Sequence, residues 1–136
     1  MKSKYVIGIC SLLLVLVLSA LSGSEPVIAA DGALDGKTFA GDMGEKGKAK
    51  GDKDELVFKD GKFHSVACEQ YGFGDAAYTA TVNGGTTTFE AVATSTKEGK
   101  MKWSGTVVGD KLNGTATWYK AGQAPIEYWF TTQLKM

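Results

Sequence analysis

Two side chains able to act as nucleophile, base or metal ligand stand four residues apart in the run FHSVACEQYGFGD, residues 63–75. They are His64, the one histidine of the chain, and Cys68, one of its two cysteines. A histidine near a thiol suggests a Cys–His nucleophile pair or half of a metal site. The flanking residues argue against both. Leu56 to Phe63 alternates about an Asp60-Gly61 turn signal, so a strand is expected to run on through Cys68. With Phe63 facing inward, Ser65 and Ala67 do too, while His64, Val66 and Cys68 face out. Four strand residues span roughly 13 Å, beyond hydrogen-bond reach and beyond a shared metal with ligand bonds of about 2.0–2.3 Å. Cys68 is therefore expected to be structural, unless a bulge near Val66 turns it inward as a small buried hydrophobe. The alternative role is a reactive thiol or an intermolecular disulfide.

No other group offers better chemistry. Asp52, Asp54 and Glu55 lack the alternating ligands and distant glutamate of a calcium loop, so no metal site is expected. Glu90 and Glu127 fall on the outward parity and do not face each other across a pocket, as glycosidase carboxylates must. The reading is non-enzymatic, with no catalytic residue and no cofactor. All fifteen basic residues are lysines. Without arginine the chain lacks the planar fork suited to phosphates, and its near-neutral charge gives no footprint for nucleic acid or anionic membrane.

The N-terminus carries Lys2 and Lys4, an apolar stretch from Tyr5 to Leu21, a polar SGSEP and then Ala29-Ala30. This is the layout of a secretory signal peptide over residues 1–30, with the cut expected after Ala30. The rival reading, an uncleaved anchor, would need an apolar stretch near the lower limit of about 17 residues to span a bilayer. Removal of residues 1–30 leaves thirteen lysines against fourteen acids. One domain then covers residues 31–136. It is exported to the periplasm or outside the cell, not stably inserted in a membrane, and expected to be a monomer. Its single remaining cysteine leaves stability to the core.

Beyond residue 36 the pattern has period two, with turn signals at Asp60-Gly61, Gly72 to Gly74, Asn83-Gly84, Glu98-Gly99, Gly109-Asp110 and Ala121-Gly122. That spacing predicts an antiparallel meander. Two-residue turns would place Phe58 opposite Phe63, Tyr78 opposite Phe89, Ala80 opposite Thr87, Val107 opposite Leu112, Gly105 opposite Gly114 and Trp103 opposite Ala116. At Glu98-Gly99 a three-residue loop with left-handed Gly99 keeps Phe89 and Trp103 on one face. One face then carries Leu56, Phe58, Phe63, Tyr78, Phe89, Ala91, Met101, Trp103, Val107, Leu112, Trp118, Tyr128, Phe130 and Leu134. With a first strand at Lys37–Met43 and Phe39 inward, about eight strands result. They bury a single apolar face by closing into an all-β, up-and-down barrel. Residues 44–55 are expected to form a charged, solvated loop.

Eight strands enclose room for side chains or for one small ligand. The opposed Gly105 and Gly114 admit two readings. A ring, Trp103 or Trp118, folds over bare backbone, or space is kept beside aromatic walls. The second makes Tyr78, Phe89, Trp103, Gly105, Gly114, Trp118 and Tyr128 a candidate binding site for a small apolar or aromatic ligand. Tyr71 and Phe73, set between glycines, are a candidate lid, plug or docking edge for a protein partner.

An exported eight-stranded meander with an aromatic lining resembles the calycin group of lipocalin, fatty-acid-binding and avidin-type barrels. The lipocalin Gly-x-Trp signature is missing, since Gly36 is followed by Lys37-Thr38-Phe39. The runs FKDGKFHSVACEQYGFG and EYWF also resemble stretches of uncharacterised exported bacterial proteins. The first likeness implies ligand binding and the second only export. The alternative to a ligand-binding barrel is a filled one acting as an inhibitor or envelope accessory factor.

Overall fold

The computed structural model describes residues 26–136, and the leader expectation falls mainly outside them. After a two-residue strand β1 (Ile28–Ala29), eight antiparallel strands follow in chain order. They are β2 (Thr38–Glu45), β3 (Asp52–Lys59), β4 (Lys62–Ser65), β5 (Ala76–Asn83), β6 (Thr86–Ser95), β7 (Gly99–Val108), β8 (Lys111–Tyr119) and β9 (Ile126–Leu134). Each of the eight pairs with its sequence neighbours, and β9 returns to β2. The result is a closed up-and-down barrel, compatible with a calycin-like architecture. Among the described residues no helix is long and apolar enough to cross a membrane.

The turns set the registers. Asp60 and Gly61 both have positive φ, as a tight two-residue hairpin needs, and Phe58 lies opposite Phe63. Val107–Leu112, Gly105–Gly114 and Trp103–Ala116 pair as the sequence implies. Thr96 to Glu98 form the three-residue loop, followed by Gly99 at φ +86°, and Phe89 and Trp103 share the interior. One register differs. The β5–β6 turn uses Gly84-Gly85 rather than Asn83-Gly84, so Tyr78 faces Ala91 and Ala80 faces Phe89. Gly84, at φ +59°, supplies the left-handed position that asparagine would otherwise occupy at a steric cost. A shift of two leaves every side chain on its expected face.

The charged loop is shorter than expected. Residues 44, 45 and 52–55 belong to strands, and only 46–51 connect them. Trp129 covers that connection from outside. Its indole N–H donates to the Lys48 carbonyl at 2.9 Å, and its ring lies where a side chain at Gly44 would sit.

The two ends of the barrel are closed differently. At one end the hairpins are two-residue turns, and residues 31–36 fold beneath them with Leu34 as a plug. The Tyr78 hydroxyl donates to Asp35 at 2.7 Å and accepts from the Leu34 amide at 3.1 Å. Above this plug the rings of Phe39, Phe58, Phe63, Tyr78, Phe89, Trp103 and Phe130 form a continuous set, with successive centroids 5.0–6.0 Å apart. At the other end the connections are longer, over 46–51, 66–75, 96–98 and 120–125.

Strand β1 lies at β5's free edge. Ile28 pairs with Val82, Ala29 with Thr81, and the Ala30 amide donates to the Ala80 carbonyl. β4 stops after four residues and pairs with β5 only at Lys62–Ala77 and Phe63–Ala76, so β1 occupies the edge it leaves bare.

Candidate functional site

β4 ends at Ser65 while β3 continues beside it, and a loop over residues 66–75 leaves the wall at that point. A side chain replaces the missing ladder. Asp54 Oδ1 accepts from the Glu55 amide at 2.7 Å and the Ala67 amide at 3.0 Å, and Oδ2 accepts from the Ser65 hydroxyl at 2.5 Å. Ser65 Oγ in turn accepts from the Cys68 amide at 3.3 Å. The loop then makes one 3-10 turn at Glu69–Tyr71 and reverses at Gly72, whose φ of +84° suits glycine. The Ser95 hydroxyl donates to the Tyr71 carbonyl at 2.8 Å and ties the loop to the end of β6, the strand beyond β5. Phe73 folds down to 5% exposure, while Tyr71 stays on the rim at 55%.

Beneath this loop lies a cavity of about 530 Å³. Its walls come from Met43, Met101, Trp118 and Tyr128 on the strands and from Cys68, Tyr71 and Phe73 on the loop, with Asp54 among them and Asp52, Lys53 and Glu98 also contributing. Trp118 is held by its indole N–H, which donates to the Glu98 carbonyl at 2.5 Å. The Lys120 ammonium lies 5.9 Å from the Trp118 ring centre and 3.1 Å from the Glu98 carboxylate. Burial pushes the Asp54 carboxyl above the ordinary carboxylate range, against the pull of its three donors. Burial likewise raises the Cys68 thiol, and the nearby Asp54 adds to the effect. A thiol held protonated is a poor nucleophile. The Tyr128 hydroxyl is raised by burial first and by Glu45 second.

The residues singled out from sequence divide between the two halves of the barrel. Trp118 and Tyr128 line the cavity, joined by the candidate lid residues Tyr71 and Phe73. Tyr78, Phe89 and Trp103 lie in the packed ring cluster. The space at the paired glycines is occupied by neighbouring rings. A β-carbon on Gly105 would meet Phe89 at 2.7 Å and Phe130 at 3.0 Å, and one on Gly114 would meet Phe130 at 2.7 Å. Bare backbone is thus covered by Phe89 and Phe130, not by Trp103 or Trp118.

His64 and Cys68 part company. His64 stays on the outer face, with Nε2 2.9 Å from Glu69 and Nδ1 3.0 Å from Asp75. Both ring nitrogens are engaged by carboxylates of the loop, one opening its 3-10 turn and one at its last residue, so His64 acts as its staple. Cys68 turns inward against the core because the strand ends at Ser65, three residues before the expected outward position. Glu55 points away from Asp54 and pairs with Lys135 at 2.7 Å. Among the described residues no cluster of three His, Cys, Asp or Glu side chains is placed to hold a metal.

Most of the other cavity residues, Met43, Asp54 and Met101 among them, were not in the site expected from sequence. The signal for Asp54 was present, since it shares parity with Leu56 and Phe58 on one strand. No protein-family model, curated protein or solved structure matches the chain.

Proposed function

We propose that this protein is an exported, non-enzymatic, calycin-like barrel that binds one small, largely apolar or aromatic molecule beneath its 66–75 loop. The supporting observation is the cavity of about 530 Å³ whose walls carry Trp118, Tyr128, Phe73, Met43 and Met101. Small-molecule sites are mostly apolar concavities of about 300–1,000 Å³ with a few placed polar groups. Here the apolar walls supply contact area, the thioethers adapt to shape, and the Tyr71–Phe73 segment shields a bound molecule from water. The N-terminal layout supports export, and a thiol kept protonated by burial supports binding over turnover.

The test is native mass spectrometry of the protein taken from its own cell envelope, set against its denatured mass. A discrete extra mass that is lost on denaturation, and lost also in Trp118→Ala, supports the reading. A bare mass for a correctly folded wild type, with no uptake of aromatic probes, overturns it in favour of a protein partner at the Tyr71 rim.

A further inference from the structure

The cavity wall holds a charge problem. Asp54 is 6% exposed, and its three hydrogen bonds are all received. The Ser65 hydroxyl donates to Asp54 while its oxygen accepts from the Cys68 amide, an arrangement that accommodates the ionised carboxylate. Yet among the described residues no lysine or histidine forms an ion pair with it, and His64, the cation nearest in effect, is held by Glu69 and Asp75 instead. The lysines nearby are committed elsewhere. Lys53, itself among the residues lining the cavity, pairs with Asp42 at 2.8 Å, Lys135 with Glu55, and Lys120 with Glu98. An ionised carboxylate out of water and without a counter-charge is costly. The surrounding walls are not neutral bystanders either. Trp, Tyr and Phe faces attract cations, most strongly where water is excluded. Asp52 adds a second acid with no ion pair among the described residues, and the Glu98 carboxylate is already matched by Lys120.

We infer that the molecule taken up is a cation, an aromatic or apolar amine whose ammonium group meets the Asp54 carboxylate while its ring lies among Trp118, Tyr128 and Phe73. The inference rests on the proposed reading of this cavity and adds the charge of its ligand. An anionic ligand is disfavoured by the same geometry, because it would face Asp54, and the lysines near it are already matched by acids of the chain. The competing account is that Asp54 serves only to fasten the 66–75 loop through the Ala67 amide and Ser65.

Three probes with one ring separate these accounts: tryptamine, indole and indole-3-acetate, titrated calorimetrically into the full-length protein. Tryptamine should bind at least about tenfold tighter than indole, a modest step for a desolvated cation–carboxylate contact, and indole-3-acetate should bind weakest. Asp54→Asn retains an acceptor for the loop amides and should keep indole binding while erasing the advantage of tryptamine. Equal binding of tryptamine and indole by the wild type, which needs no variant to fold, overturns the inference and leaves the cavity reading standing. Retention of the preference in Asp54→Asn overturns it too. If none of the three binds the wild type and the native mass is bare, the cavity reading itself falls, and the inference with it.

Discussion

The two ends of this barrel are built from the same eight strands and the same kinds of residue, yet they solve opposite problems. At the end closed by Leu34, glycine turns are short, rings meet edge to face, and even the gap between Gly105 and Gly114 is filled. At the other end the rings stand at the wall, and the interior between them is left open under a ten-residue loop. Loop length is the visible difference. A two-residue turn returns the chain at once and brings paired residues together over the core. A strand that stops early, as β4 does, leaves its neighbour's edge to be met by a loop and by a carboxylate. The comparison teaches that a barrel of this size need not be wholly filled or wholly hollow.

Substitutions on the two sides should break the molecule in different ways. The largest effect is expected for Trp103→Ala, which empties a site 1% exposed between Phe63 and Phe130. A loss of about 3–5 kcal/mol is expected in denaturant unfolding. Trp118→Ala, half-buried at the cavity, should cost clearly less stability while removing probe uptake; equal losses from the two would erase the division proposed here. Next comes Gly114→Ala, whose new methyl group would strike the Phe130 ring and the Ser104 carbonyl. It should cost about 1–3 kcal/mol by overpacking, read from the same unfolding curves.

Asp54→Ala leaves the Glu55 and Ala67 amides and the Ser65 hydroxyl without their acceptor, at about 1–3 kcal/mol, whereas Asp54→Asn should cost less. The pH dependence carries its own sign. A carboxyl whose folded value lies above its unfolded one holds its proton more tightly when folded. Stability should therefore fall as pH rises from the ordinary carboxylate value through the raised one, and Asp54→Asn should flatten that slope in acid-to-neutral melts.

The closed end has an alkaline counterpart. The Tyr78 phenol is pushed up to about 12 by burial and by its bond to Asp35. Its contribution is intact below about pH 10 and should be lost as pH rises through the folded value, a loss that Tyr78→Phe would not show. The smallest effect belongs to His64→Gln. Its partners Glu69 and Asp75 are exposed, so the cost should stay under about 1 kcal/mol, while amide exchange across 66–75 quickens.

The wall was more legible in the sequence than the mouth, and the reason is periodicity. Alternation and glycine turns constrain one another around the whole barrel, so an error of two residues at Gly84-Gly85 changed partners without moving Tyr78 or Phe89 off the inner face. The mouth obeys no such pattern. Once β4 ends at Ser65 the parity argument has nothing to act on, and Cys68 turns inward against it. Asp54 was hidden by composition, since a run rich in Lys, Asp and Gly reads as a solvated loop even where it forms strands. The paired glycines lie in the packed half under Phe89 and Phe130, and sequence distance does not reveal which ring will lie over them.

The brevity of β4 has a further consequence, in the time domain. β6 and β7 stay laddered from Thr86–Val108 to Ser95–Gly99, whereas β4 and β5 share only two residue pairs. Local opening should begin at that seam, at a free energy well below global unfolding. The 66–75 loop joins the same two strands, so parting the seam and lifting the loop amount to a single motion. The rate at which a molecule enters or leaves would then be set by how often this hydrogen-bonded joint breathes.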